Sequence, residues 1–337
     1  MSSRDGRARR WARDQVRGEP LPTPAVETGH GTPLTPAVLP PLAPAPKRGQ
    51  MRAALVTLRP RQWIKNLLVI AAAGAAGALG HDDVPVRVGL AFIAFCLLAS
   101  GLYAVNDVRD VAEDRKHPRK RRRPVAAGEL DARAALGLGA ALIATGLALC
   151  VIVRPLLLAV GAGYVALTLS YTALWRSVVL LDVFAIACGF VLRAVAGGVA
   201  APVTLSRWFV IVVTFSALFV AAGKRQAELQ RTTGTALARR GVLRFYNAAR
   251  LRSIVIASAA VALFAYCVWA FELPTADGVP WRPLTIVPFA VCVGRYVARV
   301  HAGEGEAPEE LVLRDRWILL AGLVWLVMFA MGVDAAV

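Results

Sequence analysis

The chain has 337 residues, of which 57% are hydrophobic, with a mean hydropathy of +0.55, and it carries a formal net charge of +17. Soluble globular domains rarely combine such apolarity with such charge, so a water-soluble fold is excluded at the outset. Apolar stretches about 20 residues long recur from about residue 66 to the C-terminus, each able to cross a hydrocarbon core of roughly 30 Å, which makes this a polytopic membrane protein.

Residues 1–50 stand apart. Nine prolines lie between Pro20 and Pro46, mixed with Ala and Thr, and aliphatic periodicity is lacking, so a disordered tail is expected there. Arg9 and Arg10 form a twin-arginine pair, but no apolar segment follows before residue 53. The pair therefore reads as part of a basic tail near anionic headgroups, not as an export signal.

Residues 51–337 are expected to form one transmembrane domain. Nine candidate spans run at roughly 66–80, 86–105, 134–153, 155–173, 178–200, 207–223, 253–271, 284–300 and 316–333. A backbone in lipid must satisfy its own hydrogen bonds, and these spans lack the period-two alternation of barrel strands, so the fold class is all-α, a nine-helix bundle. Cys96, Cys150, Cys188, Cys267 and Cys292 all fall inside spans with no metal-ligand spacing and read as small core residues.

Two loops carry most of the positive charge outside the tail. Residues 109–133 hold nine Lys or Arg, and residues 224–252 hold eight against a single acid, Glu228. The positive-inside rule places both loops, and with them the active site, in the cytoplasm of a plasma (inner) membrane protein; the odd span count then leaves the C-terminus outside. This basicity faces anionic lipid and anionic substrate, and no nucleic-acid partner is expected.

Where the second span meets the first basic loop, Asn106, Asp107, Asp110 and Asp114 form the pattern N-D-x-x-D-x-x-x-D. At 100° per residue the three aspartates lie within about 60° on one helix face, spread over about 10 Å of axis. Such a row of hard oxygen ligands suits Mg²⁺ bridging to a diphosphate. The competing reading pairs these acids with Arg109, Arg115 and Lys116 as a solvated helix end. The following Arg121, Arg122 and Arg123 are candidates to hold phosphate oxygens.

This motif, the preceding "RPRQWIKN" at residues 59–66 and the spans around them resemble the UbiA superfamily of intramembrane prenyltransferases, over about residues 55–335. The resemblance implies Asn106, Asp107, Asp110 and Asp114 as the Mg²⁺ and diphosphate site. A second motif, D-x-x-x-D, is half missing here, because Asp182 is followed four residues later by Ile186. Together with "LDVFAIACGFVLRAVAGG", "AAGKRQAEL" and "LRDRW", the blocks instead look like the phosphoribosyltransferase branch of actinobacterial cell-wall synthesis. That likeness implies phosphoribosyl diphosphate (PRPP) as donor, decaprenyl phosphate as acceptor and decaprenylphosphoryl-5-phosphoribose as product, a precursor of the arabinan of arabinogalactan.

Further site residues follow in chain order. Lys65 in "WIKN" is a candidate phosphate ligand, against the reading of a lysine that snorkels to the headgroups. Asp182 and Arg193, eleven residues apart, return within about 20° of one helix face but sit about 16 Å apart along it, so each needs another partner. Asp182 is expected near the ribose phosphate and metal, and Arg193 on a donor or acceptor phosphate. Lys224, Arg225 and Glu228 close the sixth span and are expected to bind donor, unless Lys224 and Glu228 simply pair at i, i+4.

The remaining singled-out positions carry less. Arg176 replaces the lysine common in the family, which keeps charge but changes its geometry. His117 reads as a solvated loop histidine, and Trp63, Trp175, Trp208 and Trp317 as interfacial anchors. Rival functions are prenyl transfer to an aromatic acceptor, disfavoured by the incomplete second motif, and lipid transport, for which no internal repeat speaks. A homo-oligomer is compatible with the sequence.

Overall fold

A computed structural model describes residues 49–81, 83–118, 120–175, 181–231, 247–272 and 279–334. All but the last two residues of the expected tail, and Arg176, lie outside them; Asp182 and Trp175 are described by backbone alone.

The elements are helices: α1 Gln50–Leu58, α2 Leu67–Ala75, α3 Val84–Arg109, α4 Val111–Lys116, α5 Ala132–Val153, α6 Pro155–Ser170, α7 Leu181–Ala200, α8 Arg207–Arg231, α9 Ala248–Glu272, α10 Trp281–Leu284, α11 Ile286–His301, α12 Pro308–Arg314 and α13 Arg316–Asp334. Short 3₁₀ segments fill Pro60–Asn66, Ala78–Gly80 and Lys120–Arg122. The all-α class stands, with no strand among the described residues.

Eight helices among the described residues are long and apolar enough to cross a bilayer. The first expected span, at 66–80, is different. Within it, α2 has nine residues, about 14 Å at 1.5 Å per residue, which is less than half a hydrocarbon core. It ends where Gly77 adopts a left-handed φ of 70° that an α-helix cannot accommodate. The composite segment Pro60–Gly80 nonetheless runs along α3 from end to end: Arg59 meets Asp107 at its C-terminus, Trp63 donates to Ser100 at 3.1 Å, Asn66 reaches Cys96 at 3.2 Å, and His81 accepts the amide of Val84 at its N-terminus.

Close packing here rests on glycine. A Cβ on Gly101 would meet the Gly139 carbonyl oxygen of α5 at 2.7 Å, and one on Gly197 of α7 would sit 2.0 Å from the Val69 carbonyl oxygen of α2. Between helices in lipid, where hydrophobic driving force is weak, such backbone approach supplies the dispersion contacts. One buried cluster joins Val69, Phe95, Leu98 and Tyr164; a second joins Phe219, Tyr296, Val300 and Leu311; a third is aromatic, with Phe209, Tyr266, Trp269 and Phe329.

Asp315 locks α11 to α13. Its carboxylate accepts the amides of Trp317 at 3.0 Å and Ile318 at 3.3 Å, capping α13, and takes Arg295 Nε at 2.9 Å and Arg299 Nε at 2.7 Å. Burial opposes its ionisation, but the bonds from Arg299, Ile318, Arg295 and Trp317 prevail and hold the carboxyl at about 2.

Candidate active site

The acidic motif occupies a joint. α3 stops at Arg109, Asp110 sits between helices with φ −90° and ψ 6°, and α4 resumes at Val111. The amide ladder survives it, with Asp110 N–H bonding the Asn106 carbonyl at 2.9 Å and Asp114 N–H the Asp110 carbonyl at 2.8 Å. Asp107 and Asp114 therefore still share a side, although the single uninterrupted helix expected for them is not what forms. Both are buried.

Arginines gather the two acids. Arg123 Nη1 donates to Asp107 at 3.1 Å and to Asp114 at 2.7 Å, and Arg59 forms an ion pair with the same oxygen of Asp107 while its guanidinium stacks 4.8 Å from the Tyr103 ring. Of the three arginines expected to hold phosphate, Arg123 is thus the one that bonds the motif; Arg121 is half-buried and Arg122 exposed on the 3₁₀ turn. Arg59 was in the quoted "RPRQWIKN", yet nothing in its spacing signals a partner 48 residues away.

Asn106 Oδ1 and Asp107 Oδ2 are buried acceptors with no hydrogen-bond partner among the described residues. An orphaned buried acceptor costs about 1–3 kcal/mol, so a ligand is expected to complete it. Hard, anionic or amide oxygens of this kind fit a divalent cation such as Mg²⁺. Among the described residues no three His, Cys, Asp or Glu side chains converge as a ready metal cluster, because Arg123 stands between Asp107 and Asp114.

A second charged group lies beside the first. Lys65 Nζ donates to Gln62 Oε1 at 2.5 Å, Gln62 Nε2 donates to Glu309 Oε1 at 2.7 Å, and Lys65 stands 3.6 Å from Glu309 Oε2. Burial pushes the Lys65 ammonium below the usual lysine range, against the pull of Glu309. Burial would raise the Glu309 carboxyl, but the charge of Lys65, the bond from Gln62 and the charge of Lys224 outweigh it and hold it below the usual range. Lys224 lies within electrostatic reach of Glu228, Lys65 and Glu309, while Glu228 forms its ion pair with Arg225 at 2.5 Å. Gln62 and Glu309 carried no sequence signal, being 247 residues apart and, for Glu309, embedded in a polar loop.

Lys65 also stands at the rim of an apolar cavity of about 1610 Å³ between α2, α8, α9, α11 and α13. Phe190, Phe209, Trp269 and Phe329 form much of its wall, and His81 and Asp83 mark its far end, beside the start of α3. Of the two charged groups, Lys65 is the residue that lines this apolar chamber.

Arg193 has protein partners. It is buried, donating from Nε to Asn66 Oδ1, from Nη1 to the Gly189 carbonyl and from Nη2 to the Tyr164 hydroxyl, each at 2.7 Å, with the guanidinium 4.7 Å from the Tyr164 ring. Three of its five donors are committed to protein acceptors. Asp182 falls on the first turn of α7. His117 is exposed, its Nδ1 accepting from the Lys120 amide at 3.3 Å. Trp208 bonds Glu272 at 2.6 Å, and Trp317 lies exposed beside Arg316, as anchors near helix ends do.

Comparisons with known proteins bear on the family and the fold. The decaprenyl-phosphate phosphoribosyltransferase of Corynebacterium glutamicum is 39% identical over 294 residues, covering 86% of this chain and 89% of that protein. Its namesake in Mycolicibacterium smegmatis is also 39% identical, covering 83% and 92%. In fold, the chain resembles a UbiA homologue from Archaeoglobus fulgidus solved with DMAPP and Mg²⁺, with a TM-score of 0.65 at 16% identity over 84% of this chain and 99% of that one. The sequence profile of the UbiA prenyltransferase family matches residues 67–323, and with relatives this similar over most of their length, the chain belongs to that family.

Proposed function

We propose that this chain transfers 5-phosphoribosyl from PRPP to decaprenyl phosphate, yielding decaprenylphosphoryl-5-phosphoribose and diphosphate. The observation that carries the reading is the proximity of two charged groups, one around the buried Asp107 and one around the half-buried Lys65, to an apolar chamber of about 1610 Å³ that Lys65 lines. A small, highly anionic donor matches the charges, and a polyprenyl tail matches the chamber. The names borne by the curated relatives support the same pairing of substrates.

In this reading Asn106 and Asp107, through their orphaned oxygens, hold Mg²⁺ with help from Asp110 and Asp114. The metal, when bound, neutralises charge that develops on the departing diphosphate. Arg59 and Arg123, released from Asp107 and Asp114, turn to phosphate oxygens, and Lys65 and Lys224 take others. Asp182 orients the ribose 5-phosphate end.

The acceptor is a phosphate monoester with a second pKa of about 6, already largely dianionic, so attack on the anomeric carbon needs no general base. His117 stays outside the chemistry. Positioning then supplies most of the rate, with the acceptor oxygen entering from the face opposite the diphosphate and inverting the centre. A product of retained configuration would overturn that step. The two basic loops support a site on the cytoplasmic side of the plasma membrane, from which the product would feed synthesis of cell-wall arabinogalactan.

The test uses purified protein in detergent with Mg²⁺, labelled PRPP and decaprenyl phosphate. Label is expected in the organic phase and absent with EDTA or in Asp110→Ala. Folded protein that leaves the label in water, yet couples geranylgeranyl diphosphate to an aromatic acceptor, would replace this reading with prenyl transfer.

A further inference from the structure

Glu309 is a largely buried carboxylate for which the acidic motif has no use. Its Oε1 accepts from Gln62, but Oε2 lies 3.6 Å from Lys65 Nζ, beyond hydrogen-bond length, and has no hydrogen-bond partner among the described residues. Tyr296 on α11 is 5% exposed, its hydroxyl is likewise unpartnered among the described residues, and it lies within electrostatic reach of Glu309. An open carboxylate oxygen near Lys65 and Lys224, with an unpartnered hydroxyl in reach of that carboxylate, marks a place that a ligand completes.

The chemistry of that ligand is constrained. A fully ionised phosphate satisfies the lysines but offers Glu309 no donor and repels it. A prenyl diphosphate does the same, because its chain carries no hydroxyl. A sugar phosphate supplies both: anionic oxygens for the lysines and vicinal hydroxyl donors for the carboxylate.

We infer that Glu309, assisted by Tyr296, accepts hydrogen bonds from the ribose 2- and 3-hydroxyls of the donor and so selects a phosphorylated sugar over a prenyl diphosphate. The inference rests on the phosphoribosyl reading above. A site built to pair a substrate hydroxyl rejects the analogue lacking it, because the buried carboxylate is then left open.

The experiment compares kcat/KM for PRPP and for its 2-deoxy and 3-deoxy analogues, in the unaltered protein, Glu309→Gln and Glu309→Ala, with thermal melting of each. The unaltered protein is expected to prefer PRPP about 10- to 100-fold, the worth of a charge-assisted bond. That preference should shrink several-fold in Glu309→Gln and about 10-fold or more in Glu309→Ala. A variant that loses rate equally on all donors, with the preference intact, makes Glu309 a structural partner of Lys65 and overturns the inference. Should both variants fail to fold, the unaltered protein still decides: equal use of the deoxy donors overturns it. No transfer from PRPP at all sinks the phosphoribosyl reading itself.

Discussion

Two buried arginine clusters sit side by side and differ in kind. Around Arg193 the acceptors are neutral, an amide, a hydroxyl and a carbonyl, all at 2.7 Å, and the ring of Tyr164 covers the guanidinium. Around Asp107 the partners are full charges, two arginines against two carboxylates, with oxygens of Asn106 and Asp107 left over. The first arrangement is closed and joins α6, α7 and the composite segment. In the proposed reaction the second would exchange partners with phosphate or metal, because each ion pair has an equivalent outside the protein. Buried charge inside a membrane bundle is thus no guide to chemistry until its partners are known.

Three experiments break or sharpen that contrast. The largest effect is expected from Asp107→Ala, which removes the acid shared by Arg59 and Arg123: transfer should fall by about 10³-fold or more at nearly unchanged melting temperature. Near-normal turnover would make the cluster structural. Next comes Arg193→Met, which strands Asn66 Oδ1 and the Tyr164 hydroxyl. Stability should drop by about 2–5 kcal/mol, read as a lower melting temperature in detergent, while the KM for PRPP in the protein that remains folded stays within a few-fold. A large rise in that KM would instead put Arg193 on a phosphate.

The smallest effect concerns Asp315. Its folded pKa of about 2 lies below its unfolded value of 3.8, so the stability it lends is fully present above the unfolded value and is lost as pH falls toward 2. Asp315→Asn should lower the melting temperature at neutral pH, and the difference from the unaltered protein should close as pH falls through that window. A gap independent of pH would assign its effect to the cap on α13 alone.

Glutamate 309 and the motif show how legibility varies. The spacing of Asn106, Asp107, Asp110 and Asp114 is local, so the sequence pointed to them even though the helix breaks at Asp110. Arg123 was legible as a base near acids, nine residues from Asp114. Arg59 and Glu309 were not, since their partners lie 48 and 247 residues away and nothing but packing sets which polar loop meets which. For Arg193, helical phase gave the face but not the Asn66 and Tyr164 that it bonds.

What the sequence by itself determined is therefore the lipid-embedded, all-α architecture, its long apolar helices and the acidic motif with basic loops, because hydropathy and helical period act over neighbouring residues. Tertiary structure alone decided that the first segment is a short helix extended by 3₁₀ turns, that Arg59 and Arg123 clamp the motif, that Arg193 bonds Asn66 and Tyr164, and that Glu309 faces Lys65. Those outcomes depend on which helix faces approach closely, and that is set by glycine contacts such as Gly197 on Val69 and by the summed fit of the bundle.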